Sequence, residues 1–225
     1  MTPMNGLGIS TSKFTFIKPI VHTNSYSIDL DGSDDYVNVG NSSEIKLTAT
    51  DTSEGDGISV ALWVKMDDWN TTTNATPISC FEASGGWQLE WSSRLVWYLR
   101  SNSATNQCVS AYKPFETASD VHFRTSGWHL FVMTYDGRTM KMWIDNGVAP
   151  DETIAGAVAS VDIGSDDNAI QYATGNNDVD LFIGAAPNPL VGGTSALEGQ
   201  PVAGLIDDVA IWNKAIDQDA VKAIF

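Results

Sequence analysis

The chain has 225 residues, 43% of them hydrophobic and only 18% charged, with 12 basic against 28 acidic side chains and a formal net charge of −16. Aperiodic glycine, eight tryptophans and missing heptads exclude collagen-like, coiled-coil and disordered classes, and every apolar run is shorter than the ~18 residues of a membrane span. So acidic a chain repels phosphate backbones, which argues against nucleic acid as a partner, and its length suits one soluble all-β domain.

Residues 1–24 stand apart as an N-terminal arm: they carry Lys13, Lys18, prolines and glycines, but no carboxylate. They also lack the basic start and apolar stretch of a signal peptide. From Tyr26 the apolar residues recur with period two, as in half-buried strands, with Tyr26, Ile28 and Leu30 on one face and Tyr36, Val37 and Val39 after a turn at Gly32. The unbroken run ISVALWVKM (58–66) predicts a central strand buried on both faces. PISCFEA (77–83), WQLEWSS (87–93) and LVWYLRS (95–101) follow at short spacing and read as a meander. In 128–148, two strand-like segments flank Asp136-Gly137, a dipeptide suited to a tight hairpin.

A weak strand near 153–161, then DLFIGA (180–185) and GLIDDVAIWN (204–213), complete the strands. KAIDQDAVKAIF has helical spacing, with Asp217 placed as its N-cap. Cys80 and Cys108 are too few for a disulfide framework and sit in no zinc or redox pattern, so two buried free thiols are expected. Asn41, Asn70 and Asn74 begin glycosylation sequons, which chance also produces in a chain rich in Ser, Thr and Asn.

YSIDLDGSDDYVNVG (26–40), ISVALWVKMDDW (58–69), GWHLFVMTYDGRTMKMWIDNG (127–147), DLFIGA (180–185) and GLIDDVAIWNKAIDQDAVKAIF (204–225) resemble, in order and spacing, the laminin G-like branch of the concanavalin A-like lectin/glucanase jelly rolls. The resemblance spans residues 25–225. It implies two antiparallel sheets packed as a sandwich, a short C-terminal helix, sugar binding at a concave face or rim loops, and calcium sites built from carboxylates and carbonyls.

The first candidate constellation is acidic: Asp31, Asp34 and Asp35 around Gly32, with Asp207 near the other end of the chain. By the resemblance, Asp207 matches a carboxylate that helps hold a structural Ca²⁺, a cation that takes six to eight oxygens and relieves repulsion between carboxylates. The alternative is turn chemistry around Gly32 and backbone capping by Asp207.

The second constellation is aromatic, Trp69, Trp87, Trp91, Trp97 and Tyr98, with Gln88 and Glu90 on the other face of the 87–91 strand; it combines rings for stacking on sugar faces with polar groups for hydroxyls. An alternating aromatic strand is also what a sandwich core requires. Trp63, Trp128, Trp143 and Trp212 lie within the family's structural motifs and are expected in the core. The retaining glycosidases of this fold carry two carboxylates on one strand face in an ExDxxE motif, which is absent here. These features predict a non-catalytic recognition module for a glycan or a surface protein. A lone lectin-like domain without a leader further suggests part of a larger assembly such as a phage virion, whose structural component would dock through Phe14, Phe16 and Ile17 of the arm.

Overall fold

The computed structural model describes residues 26–41, 45, 57–68, 74–82, 85–91, 95–100, 106–111, 127–144, 159–162, 170, 180–186 and 201–224. The arm, including Phe14, Phe16 and Ile17, lies outside them, as does Trp69. Twelve strands among these residues form two antiparallel six-stranded sheets. The first runs β1 (Ile28–Asp31), β12 (Ala203–Trp212), β3 (Ile58–Met66), β8 (His129–Tyr135), β9 (Thr139–Ile144) and β10 (Ala159–Asp162). The second runs β2 (Val37–Gly40), β11 (Leu181–Ile183), β4 (Ala75–Glu82), β5 (Gly85–Trp91), β6 (Leu95–Arg100) and β7 (Asn106–Ala111).

Alternation places one side-chain set of each sheet in a shared interior. The first sheet contributes Val60, Leu62, Val64, Phe131, Met133 and Ile206; the second contributes Ile78, Trp87, Leu89, Trp91, Trp97 and Leu99. β3 is buried on both faces, as its continuous apolar run predicts. Its other face carries Ala61 and Trp63 into a second cluster with Leu130, Val132 and Trp143. Helix α1 (Gln218–Ile224) covers that cluster through Val221 and Ile224, so the chain's end closes the outer face of the first sheet. Of the expected core tryptophans, Trp143 is buried, Trp63 and Trp212 pack against the cluster half-buried, and Trp128 is half-buried.

The helix is seated by specific polar contacts. Asp217 Oδ1 accepts the Ala220 N–H at 2.9 Å, the predicted N-cap. Fully buried Ser59 donates its hydroxyl to the Lys214 carbonyl and accepts the Ile216 N–H at 2.9 Å. Gly57 lies so close to this segment that a Cβ there would stand 2.6 Å from the Ala215 nitrogen. Asp136 Oδ1 accepts the N–H groups of Arg138 and Thr139 and fixes the β8–β9 hairpin that Asp136-Gly137 predicts.

β7 extends the meander beyond the three strands legible in the sequence; NQCVSA is too polar and irregular to show a strand period. Cys80 is buried as a thiol. Cys108 is on β7, with β5 and β6 between it and β4, about 14 Å at ordinary strand spacing and beyond disulfide reach.

Ser59→Ala strands the Ile216 N–H and the Lys214 carbonyl against the sheet and should lower unfolding free energy by about 1–3 kcal/mol in denaturant titration. An unchanged midpoint would show that the helix is held by its apolar face alone. Burial first, and the neighbouring Asp136 charge second, raise the Tyr135 phenol above its ordinary range. The stability held by this neutral phenol is therefore intact below pH ~10 and lost above it, as the unfolded chain's tyrosine ionises. Tyr135→Phe should flatten the fall of the thermal midpoint above pH ~10.

Candidate functional site

Strand β5 decides the aromatic constellation. Trp87, Leu89 and Trp91 share one face, as their spacing requires, but that face is the interior: both tryptophans are fully buried among Cys80, Trp97, Leu99 and their neighbours. Trp87 and Trp91 are therefore core residues and not a stacking platform for sugar, which corrects the expectation drawn from their sequence. The period of two establishes that they face the same way; the pairing of β5 between β4 and β6 establishes which way.

Glu90, the carboxylate of that set, occupies the opposite, outer face of β5 with Gln88 and is half-buried. Strand register assembles a row across this face: Asn38, Phe182, Ser79, Gln88 and Tyr98 are successive cross-strand partners from β2 to β6. Ser79 Oγ lies 3.3 Å from Gln88 Oε1, and Gln88 Nε2 donates to Glu90 Oε2 at 3.3 Å. This chain of hydrogen bonds ties the Glu90 carboxylate to Gln88, the cross-strand partner of Tyr98. Ser79, Val96 and Phe182 are fully buried on this side, while Glu90, Tyr98, Arg100 and Phe81 keep partial exposure. Tyr36 leans on Phe182 with ring centroids 5.5 Å apart. Arg100 stands opposite Gly86, whose left-handed backbone (φ 110°) has no room for a Cβ against the Cys80 carbonyl. The sequence reading placed Tyr98 among the aromatics of the same constellation but missed Arg100; alternation on LVWYLR puts the two on one face, and the β5–β6 pairing was the missing information that sets them beside Glu90.

The acidic constellation is brought together in part. Asp31, Asp34 and Asp35 are exposed, each with a carboxylate oxygen within 4.8 Å of the others. Asp31 Oδ1 also accepts the Ser33 N–H at 2.8 Å, and Asp35 Oδ2 accepts the Asp31 N–H at 3.1 Å, so the same carboxylates shape the turn from the first sheet to the second. Gly32 packs so closely on Ala203 that a Cβ would stand 2.6 Å from that side chain. Asp207 does not join them. Ala203 is the residue opposite Asp31, and Asp207 lies four positions further along β12, about 13 Å away, opposite Trp63. There its Oδ1 accepts the Asp208 N–H at 2.8 Å, supporting a bulge in which Asp208 is left-handed (φ 46°). The backbone-capping alternative thus describes Asp207. The oxygens of Asp31, Asp34 and Asp35 are hard donors of the kind Ca²⁺ takes, and they supply part of its usual shell.

The family follows from a comparison with known proteins: residues 31–222 match the laminin G family model of the concanavalin A-like lectin/glucanases superfamily. The chain belongs to this superfamily. Its laminin G sandwich is shared, at identities that speak for the fold alone, with the receptor-binding domain of botulinum neurotoxin C/D mosaic serotype (TM-score 0.59, 18% identity, covering 92% of this chain and 44% of that one). It is also shared with the binding domain of botulinum neurotoxin DC in complex with SialylT (0.58, 14%, 91% and 43%). A third similar structure is mouse laminin alpha1 chain, domains LG4-5 (0.54, 11%, 85% and 42%). The chain spans less than half the length of each of these structures. No curated protein matches it.

Trp91→Ala empties a large core site and should destabilise the laminin G domain by about 3–5 kcal/mol, read by chemical denaturation. A cost under 1 kcal/mol would return Trp91 to the surface.

Proposed function

We propose that this chain is a non-catalytic recognition module that binds a glycan or a protein surface through the outer face of its second sheet, around Glu90, Tyr98 and Arg100. The observation that carries this reading is the composition of that face. Where a retaining glycosidase sets a second carboxylate on the same strand, β5 sets Gln88, hydrogen-bonded to Glu90. One carboxylate, one guanidinium and one tyrosine, all partly exposed, are groups that fix hydroxyls and cover an apolar sugar face or a side chain. The similar structures include a receptor-binding domain and a binding domain in complex with SialylT, which supports binding as the family-level role.

Calcium belongs to the proposal as a structural ion held by Asp31, Asp34 and Asp35, stiffening the turn between the sheets. Chelation should lower the thermal midpoint, and Ca²⁺ but not Mg²⁺ should restore it. A midpoint indifferent to both, in protein shown to start with bound metal, would leave these residues with turn chemistry alone.

The second reading, compatible with the first, is a structural component of a larger assembly such as a virion, displayed outside the cell and docked through Phe14, Phe16 and Ile17. It is favoured by the position of the exposed large apolar side chains among the described residues: Tyr26, Tyr36 and Val39 all lie on or beside β1 and β2, the first strands after residues 1–24 in the sequence.

Screening on a glycan array and a surface-protein panel tests the binding role. Glu90→Ala and Tyr98→Ala should each weaken a hit by about 1–3 kcal/mol while the thermal midpoint stays near that of the parent. Unchanged binding in both variants, or turnover of the bound glycan, would overturn the reading. Deletion of residues 1–24 should block incorporation into the parent assembly and leave binding intact.

A further inference from the structure

We infer that the open side of the sandwich, along the free edge of β1, receives residues 13–21 of a second copy of this chain as an added strand. The inference rests on the docking role proposed for the arm and names its partner.

β1 and β2 are the edge strands of the two sheets on one side of the molecule, and the edges differ. β2 is interrupted: its register shifts against β11, leaving Val39 as an extra residue beside left-handed Gly40, a device that blunts an edge. β1 keeps unbroken register with β12 from Ile28 to Asp31 and, among the described residues, no strand pairs with its other edge. Apolar surface gathers at this side. Tyr26, two residues before Ile28 and on the same side of the chain, is 86% exposed; Val39 is 48% exposed; Ile28 and Val37 are only partly covered. The chain reverses once between β1 and β2, so Tyr26 and Val39 lie toward the same end of this side.

Charge selects the occupant. Residues 26–41 carry Asp29, Asp31, Asp34 and Asp35 and no Lys or Arg, so edge-to-edge pairing of two copies sets like charges against each other. Residues 1–25 carry Lys13 and Lys18 and no carboxylate. An antiparallel register that sets Lys18 opposite Asp29 carries Lys13 past the end of β1 at Asp31, beside the turn that gathers Asp31, Asp34 and Asp35. The same register sets Val21 opposite Tyr26 and Ile17 opposite Leu30, on the side that faces the interior. Pro19 is tolerated in an edge strand, where one backbone side needs no donor. Because arm and edge are different surfaces, each copy offers both, and the contact propagates from copy to copy as an array requires.

The test uses the full chain in EDTA, so that cation binding at Asp31, Asp34 and Asp35 plays no part. Sedimentation velocity of the parent should show mass rising with concentration. Lys13→Glu/Lys18→Glu and Asp29→Lys/Asp34→Lys should each raise the dissociation constant at least tenfold, and an equimolar mixture of the two, which again pairs unlike charges, should regain association. Ile17→Asp, which keeps both lysines, should also weaken it. A parent that stays monomeric, or reversed variants that associate as the parent does, would overturn the inference. It would equally fall if mixing restored nothing while one chain carrying all four changes regained the parent's thermal midpoint, because the arm then folds back on its own β1. If self-association fails but deletion of residues 1–24 still blocks incorporation, the arm docks on another component: the docking role stands and this inference does not.

Discussion

Burial of both faces of β3 is the constraint from which the rest of the structure follows. A strand of nine residues with Val60, Leu62 and Val64 on one side and Ala61 and Trp63 on the other needs apolar cover twice. The second sheet supplies one cover and must bring its largest side chains, Trp87, Trp91 and Trp97, inward to do so. Helix α1 supplies the other, held by Ser59 from β3 itself. With its interior committed to the first sheet, the second sheet leaves its outer face, among the described residues, for contact with partners. That division of labour moves the candidate binding groups from the tryptophans to Glu90, Tyr98 and Arg100.

Much of this fold was legible in the sequence because its determinants are local. The run at 58–66, the turn at Asp136-Gly137 and the cap at Asp217 each state their conformation within a few residues. β7 was not legible, since Asn106, Gln107 and Ser110 interrupt any apolar period in a strand whose place is set by pairing with β6. The site was harder for a different reason. Periodicity tells which residues share a face, and Trp87 with Trp91 was read correctly in that respect; it is silent on which face meets the core. Asp207 shows the same limit across strands. Its distance from Asp31 is set by the β1–β12 register, a contact between opposite ends of the chain that no local pattern encodes.

The arrangement also separates three jobs along the molecule. Residues 31–35 turn the chain from one sheet to the other and gather carboxylates there. The outer face of β5 and β6 presents mixed polar and aromatic groups. β1, with exposed Tyr26 beside it, leaves an edge that is apolar toward the interior and acidic toward the outside. The outer face of β5 and β6 lies on different elements from the other two, so a ligand there need not compete with a cation or a neighbouring copy, whereas the acidic turn adjoins the β1 edge and is shared by both.

The central claim is that recognition belongs to the outer face of the second sheet while its tryptophans serve the core. An NMR titration of the labelled protein with a glycan or peptide found by screening tests it most directly. The account predicts shifts at the Glu90, Tyr98 and Arg100 resonances, with the Trp87, Trp91 and Trp97 indole signals unmoved and the ligand recovered intact. Perturbed indole signals with a silent outer face, or a cleaved ligand, would contradict it.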